Sequence, residues 1–74
     1  MSQTLDEYLH LGYPFEVIPA GEGGHVVRYP DLPGCFAQVE EGDDIIAVAT
    51  EILESWLIVA IAAGDPIPLP DVNR

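Results

Sequence analysis

A tight turn is predicted at YPDLPGC, residues 29–35, which lies between two short β-prone segments. Pro30 fixes φ at the start of a turn, Leu32 precedes a proline and is biased towards an extended conformation, and Gly34 tolerates a left-handed backbone. Cys35 then begins the next strand. A lone cysteine in this position is most often a small buried apolar residue.

Three β-strands are predicted around this turn. HVVRY (25–29) precedes it and FAQVEE (36–41) follows it, and both are rich in residues that strands favour. PFEVIPA (14–20) alternates in the same way, and GEGG (21–24) supplies a flexible hairpin connection. Three consecutive strands with short links indicate an antiparallel meander.

Helices are predicted on both sides of the meander. A short N-terminal helix is capped by Thr4, whose side chain can accept a backbone hydrogen bond. A long helix is predicted over residues 42–65, with Asp43 or Asp44 as its N-cap and Gly64 at its C-terminal end. The prolines that follow prevent its continuation and leave a short final extended segment.

The long helix is apolar on more than one side. Residues placed at intervals of about 100° put Leu57, Ile58 and Ile61 towards the outer face, away from the sheet. In a chain of 74 residues little else can cover them, so a homo-oligomer, a dimer or a tetramer, is predicted with these three residues at the subunit contact. The stripe predicted to pack on the sheet consists of Ile45, Ala49, Ile52, Trp56, Val59 and Ala63, flanked by Val48, Leu53 and Ala60.

The chain is short and strongly acidic. Its length predicts a single domain over residues 1–74, and the predicted strands and helices make this domain α+β. Thirteen Asp and Glu residues against two Lys and Arg give a formal net charge of −11. Because phosphate binding depends on Lys and Arg, this balance argues against direct binding to nucleic acid or to an anionic membrane. It favours a basic protein partner, although acidity can also serve only to keep a small domain soluble.

No cofactor, metal or catalytic site is predicted. His10, His25 and Cys35 stand apart without metal-ligand spacing, and nothing in the sequence orients a histidine onto the thiol. Residues 45–63 are apolar enough to raise the question of a membrane span, but the two glutamates near their middle make a span costly. Because the N-terminus lacks signal-peptide features and no cysteines can pair, a cytoplasmic location is expected.

The ordered motifs resemble those of the HicB family of antitoxins. They are YPDLPGCFAQVEEGDD (29–44), an alanine-rich helix containing ESWL (54–57) and the exit GDPIPLP (64–70). The resemblance implies a β-β-β-α-β arrangement described as a reduced RNase H-like fold. It also implies neutralisation of a small basic RNA-cleaving toxin of HicA type through protein–protein contact. The turn motif of the family falls on Pro30, Asp31, Leu32, Pro33, Gly34 and Cys35.

Acidic residues near the turn and the helix start are the expected contacts with such a toxin, namely Asp31, Glu40, Glu41 and Asp43. Full-length HicB antitoxins usually carry a C-terminal DNA-binding segment, whereas this sequence ends four residues after Pro70. A short form that does not bind DNA is therefore expected. Two alternatives remain: a stand-alone oligomeric binding protein without a toxin partner, and a residual metal-dependent nuclease, for which the carboxylates lack motif spacing.

Overall fold

Five elements of secondary structure follow one another in an α+β arrangement. The computed structural model describes residues 4–70. The elements are α1 (Leu5–Leu9), β1 (Glu16–Pro19), β2 (His25–Arg28), β3 (Phe36–Val39) and α2 (Ile45–Ala63). This order confirms the predicted fold class, with its short N-terminal helix, three-stranded meander and long helix.

The three strands form one antiparallel sheet in the order β1-β2-β3. Val17 pairs with Val27, and Val27 pairs with Ala37. Cross-strand partners share a face, so these three side chains lie on the same side of the sheet. Val27 is fully buried there because α2 packs against β2 and β3. β1 and β3 are the two edge strands of the sheet, and all four residues of β1 are exposed.

The helix ends follow the capping signals in the sequence. At α1 the Thr4 hydroxyl accepts a hydrogen bond from the Glu7 backbone N–H, and the Glu7 carboxylate accepts one from the Thr4 N–H. At α2 the Asp44 carboxylate accepts a hydrogen bond from the Ala47 N–H at 3.2 Å. Asp44 is therefore the N-cap. Gly64 ends the helix in the left-handed conformation, as predicted.

The buried face of α2 is rotated away from the stripe predicted from the spacing. Val59 is 68% exposed and Ala63 is also exposed, so the prediction that both face the sheet is wrong. Leu57 is 0% exposed and belongs to the core, which corrects its placement at a subunit contact. The buried residues of α2 are Ala49, Leu53, Leu57 and Ala60.

Residues 65–70, which we call the exit segment, form neither helix nor strand. The final strand that the family resemblance implies is therefore not found within the described residues, and the rest of that predicted segment, residues 71–74, lies outside them. The buried Tyr13 donates a hydrogen bond from its hydroxyl to the Pro68 carbonyl at 2.6 Å. Ile67 packs partly against the core. These contacts hold the exit segment against the body of the fold.

By length and composition, α2 could also cross a membrane. The core helix of a soluble protein passes the same test. Here its buried side packs on β2 and β3, and Glu51 and Glu54 are exposed as the sequence predicts. The apolar character of α2 is thus partly explained by the sheet that it covers.

Candidate partner-binding surfaces

The stretch at residues 29–35 folds as two successive turns. The Leu32 N–H donates to the Tyr29 carbonyl, and the Cys35 N–H donates to the Leu32 carbonyl, both at 3.1 Å. In the second turn Pro33 takes the second position and Gly34, with φ of 78°, takes the third, the pattern of a type II turn. The Tyr29 N–H closes the pair of turns by donating to the Cys35 carbonyl at 2.9 Å.

Hydrogen bonds fasten this turn to α2 at three points along the helix. All three run from a side chain to a backbone carbonyl. Each such bond contributes on the order of 1 kcal/mol. The motif therefore positions the helix on the sheet, which gives its residues a structural role. The bonds join the Tyr29 hydroxyl to the Ala49 carbonyl at 2.9 Å, the Cys35 thiol to the Ile52 carbonyl at 3.6 Å, and the Trp56 indole N–H to the Pro33 carbonyl at 2.9 Å.

The Cys35 thiol is placed for packing. Burial raises the pKa of Cys35 to about 11, so the thiol stays protonated at neutral pH. Burial, followed by the nearby Cys35, raises the pKa of Tyr29 to about 12. His25, the base considered from the sequence, pairs with Val39 at the opposite end of β2 from the turn. The structure thus separates the thiol from that histidine.

The four acidic residues predicted to contact a partner do not form one cluster. Glu40, Glu41 and Asp43 lie in the loop between β3 and α2, whereas Asp31 lies in the turn before β3. The length of β3 separates the two groups, roughly 13 Å at about 3.3 Å per residue. Asp43 shapes its own loop, because its carboxylate accepts a hydrogen bond from the Glu40 N–H at 3.2 Å.

Within residues 4–70, no three His, Cys, Asp or Glu side chains are grouped so that they could hold a metal ion.

An open groove of about 980 Å³ lies on the side of α2 next to the turn. Residues 33–36 form one wall, residues 65–68 of the exit segment form the other, and α2 forms the floor. We call this feature the turn–exit groove. It brings residues 33–36, which are distant in sequence, against α2 and the exit segment that follows α2 directly.

The turn–exit groove is lined mainly by apolar residues and by two acidic ones. Phe36, which is 63% exposed, lines it from β3, and Val59 and Trp56 line it from α2. Glu51 and Asp65 are the charged residues of the lining, and both are acidic. Residue spacing alone places Val59 against the sheet, and for that reason it does not predict this surface. The sequence indicates such a surface only through α2, which is apolar on more sides than the sheet can cover.

Ile58 and Ile61 point outwards from α2, as the predicted subunit contact requires. With Leu57 assigned to the core, these two residues are what remains of the predicted contact. Both are exposed in the single chain.

Most of the chain is similar to known proteins. A family model described as HicB_like antitoxin of bacterial toxin-antitoxin system matches residues 13–73. The UPF0150 protein ssl0259 of Synechocystis sp. is 31% identical over 58 residues, which are 78% of this chain and 80% of that protein. Antitoxin HicB 1 of Photorhabdus laumondii subsp. laumondii is 28% identical over 61 residues, 82% of this chain but 39% of that antitoxin. No solved structure matches the chain significantly.

Proposed function

This chain belongs to the HicB-like antitoxins of bacterial toxin–antitoxin systems, and from that membership we propose that it neutralises a small basic RNA-cleaving toxin of HicA type. The family implies a toxin partner of some kind and suggests a role without catalysis. The proposed inhibition works through protein–protein contact.

The charge of the chain is the observation that carries the proposal. Thirteen acidic residues stand against two basic ones, for a net charge of −11. Within residues 4–70 Arg28 is the single Lys or Arg, and its guanidinium pairs with the Glu16 carboxylate at 2.8 Å. The described surface therefore presents an almost uninterrupted negative field, which speeds encounter with a cationic protein and repels nucleic acid.

Contact alone is a sufficient mechanism for inhibition. An RNA-cleaving enzyme holds the phosphates of its substrate with Lys and Arg side chains. A bound acidic protein occupies the same cations and excludes RNA from them. This competition requires carboxylates at the surface and a stable complex, and it requires no reactive group on the antitoxin.

The test is a calorimetric titration of a purified HicA-type toxin into the protein at low salt and at about 0.15 M salt, where the screening length is about 8 Å. Binding is expected at both, with weaker affinity at the higher salt. A parallel titration with the promoter duplex of the toxin–antitoxin operon is expected to show no sequence-specific binding. The absence of toxin binding at both salt concentrations would contradict the proposal.

A second candidate function is a stand-alone oligomeric binding protein in the cytoplasm. Exposed Ile58 and Ile61 on α2 favour it, because apolar side chains on an outer helix face suit a subunit contact. Light scattering on the wild type and on the Ile58→Glu/Ile61→Glu variant tests it. A multimeric wild type and a monomeric variant are expected, whereas equal masses would rule out this contact.

A further inference from the structure

We propose that the turn–exit groove is the docking site for an apolar segment of the basic partner that carries Lys or Arg beside its apolar residues. The inference rests on the proposed function and adds to it the surface through which the partner binds.

Exposed apolar side chains from β3 and α2 lie together in the groove. Single exposed apolar residues are normal in small proteins and need no explanation. Here Phe36 on β3 and Val59 on α2 are both mostly exposed, and both line one concave surface with Trp56. Its volume of about 980 Å³ is large enough for several side chains of a partner.

The groove is also held in shape before any partner arrives. The Trp56 indole N–H donates to the Pro33 carbonyl at 2.9 Å, which fixes the ring between floor and wall. The opposite wall is fixed where the Tyr13 hydroxyl donates to the Pro68 carbonyl at 2.6 Å. A preformed site loses little conformational entropy on binding, and a fixed tryptophan is a frequent centre of binding energy.

The charges at the groove select a cationic segment. Glu51 and Asp65 are acidic, and none of the described residues that line the groove is cationic. Within residues 4–70 the single Lys or Arg is Arg28, which pairs across the sheet with Phe36 and is already bound to Glu16. A second copy of this acidic chain docked in the groove would find only the carboxylates of Glu51 and Asp65 as charged groups of the lining. A basic partner meets opposite charges there and fills the apolar floor.

The experiment compares two matched double variants in titrations against a catalytically inactive HicA-type toxin. Phe36→Ser/Val59→Ser alters the groove. Val17→Ser/Ile46→Ser alters exposed apolar residues on β1 and on the start of α2, where Ile46 is 64% exposed. The groove variant is expected to bind about tenfold or more weakly, and the control within about threefold of the wild type. Circular dichroism and urea unfolding of both variants check that the fold is intact.

A second pair of variants separates the groove from the acidic loop at equal net charge. Glu51→Gln/Asp65→Asn and Glu40→Gln/Glu41→Gln each remove two carboxylates, so long-range attraction falls equally. The groove pair is expected to weaken toxin binding about tenfold and the loop pair about threefold or less.

The outcomes distinguish the two proposals. A wild type that does not bind the toxin overturns the proposed function and the groove assignment with it. A wild type that binds while the groove variants bind equally well, or a loop pair that weakens binding as much as the groove pair, overturns the groove assignment alone.

Discussion

Replacing Leu57 by Ala is expected to destabilise the folded chain by about 3 kcal/mol, whereas replacing its neighbour Ile58 by Ala is expected to cost about 1 kcal/mol. Leu57 is 0% exposed between α2 and the sheet. Removal of three carbon atoms loses about 0.8 kcal/mol each in transfer free energy, and the cavity that remains adds to this sum. Ile58 is 48% exposed, so the same truncation loses only about half of the transfer term and leaves no closed cavity.

The effect at Leu57 is large relative to the stability of the chain. A domain of 74 residues is stabilised by about 4–11 kcal/mol at roughly 0.05–0.15 kcal/mol per residue. Urea unfolding followed by Trp56 fluorescence and circular dichroism measures the change. With a denaturant dependence of about 1 kcal/mol per molar, the midpoint of Leu57→Ala should fall by about 3 M.

The matched neighbour makes the test decisive. Equal losses of stability in the two variants would show that Leu57 is not in the core. A Leu57→Ala protein with unchanged unfolding but a lower mass in light scattering would place Leu57 at a subunit contact, as the spacing alone predicts.

Two further predictions concern the cap of α2 and alkaline pH. Asp44→Ala removes the carboxylate that caps α2 and should cost about 1 kcal/mol in urea unfolding; an unchanged midpoint would refute the assigned cap. Because folding raises the pKa of Cys35 from 9.0 to about 11, the protonated thiol contributes stability that is fully present below pH 9.0 and is lost as the pH rises towards about 11. Urea midpoints of wild type and Cys35→Ala across this range should therefore converge, and rapid labelling of the native thiol at neutral pH would contradict its burial.

Local signals in the sequence were sufficient for the order of elements. Turn residues separate the three strands, and Asp44 and Gly64 bound α2 where a cap and a left-handed C-terminal residue were expected. These signals act within a few residues and do not depend on the rest of the fold. For that reason the α+β class could be predicted before the structure.

The orientation of α2 could not be predicted from the same information. A helix that is apolar nearly all round has no single stripe that periodicity can identify. The orientation is fixed by tertiary contacts, among them the hydrogen bonds from Tyr29 and Cys35 to helix carbonyls. Leu57, which is predicted at the outer face, therefore lies in the core, and Val59, which is predicted to face the sheet, lies at the surface.

The candidate site depended even more on distant contacts. The wall formed by the exit segment is held by a bond between Tyr13 and Pro68, which are 55 residues apart in the chain. No spacing rule indicates such a contact. Asp31 and Glu40 are likewise predicted to contact a partner together because they are close in sequence, but β3 lies between them.

The most direct test of the antitoxin function is an RNA-cleavage assay with a HicA-type toxin encoded in the same genome. Increasing amounts of the purified protein are added to a fixed amount of toxin and a labelled RNA substrate. The proposed function predicts that cleavage falls to background once the protein and toxin are present in roughly equal amounts, and that added salt restores part of it. Cleavage that continues unchanged in a large excess of the protein would contradict it.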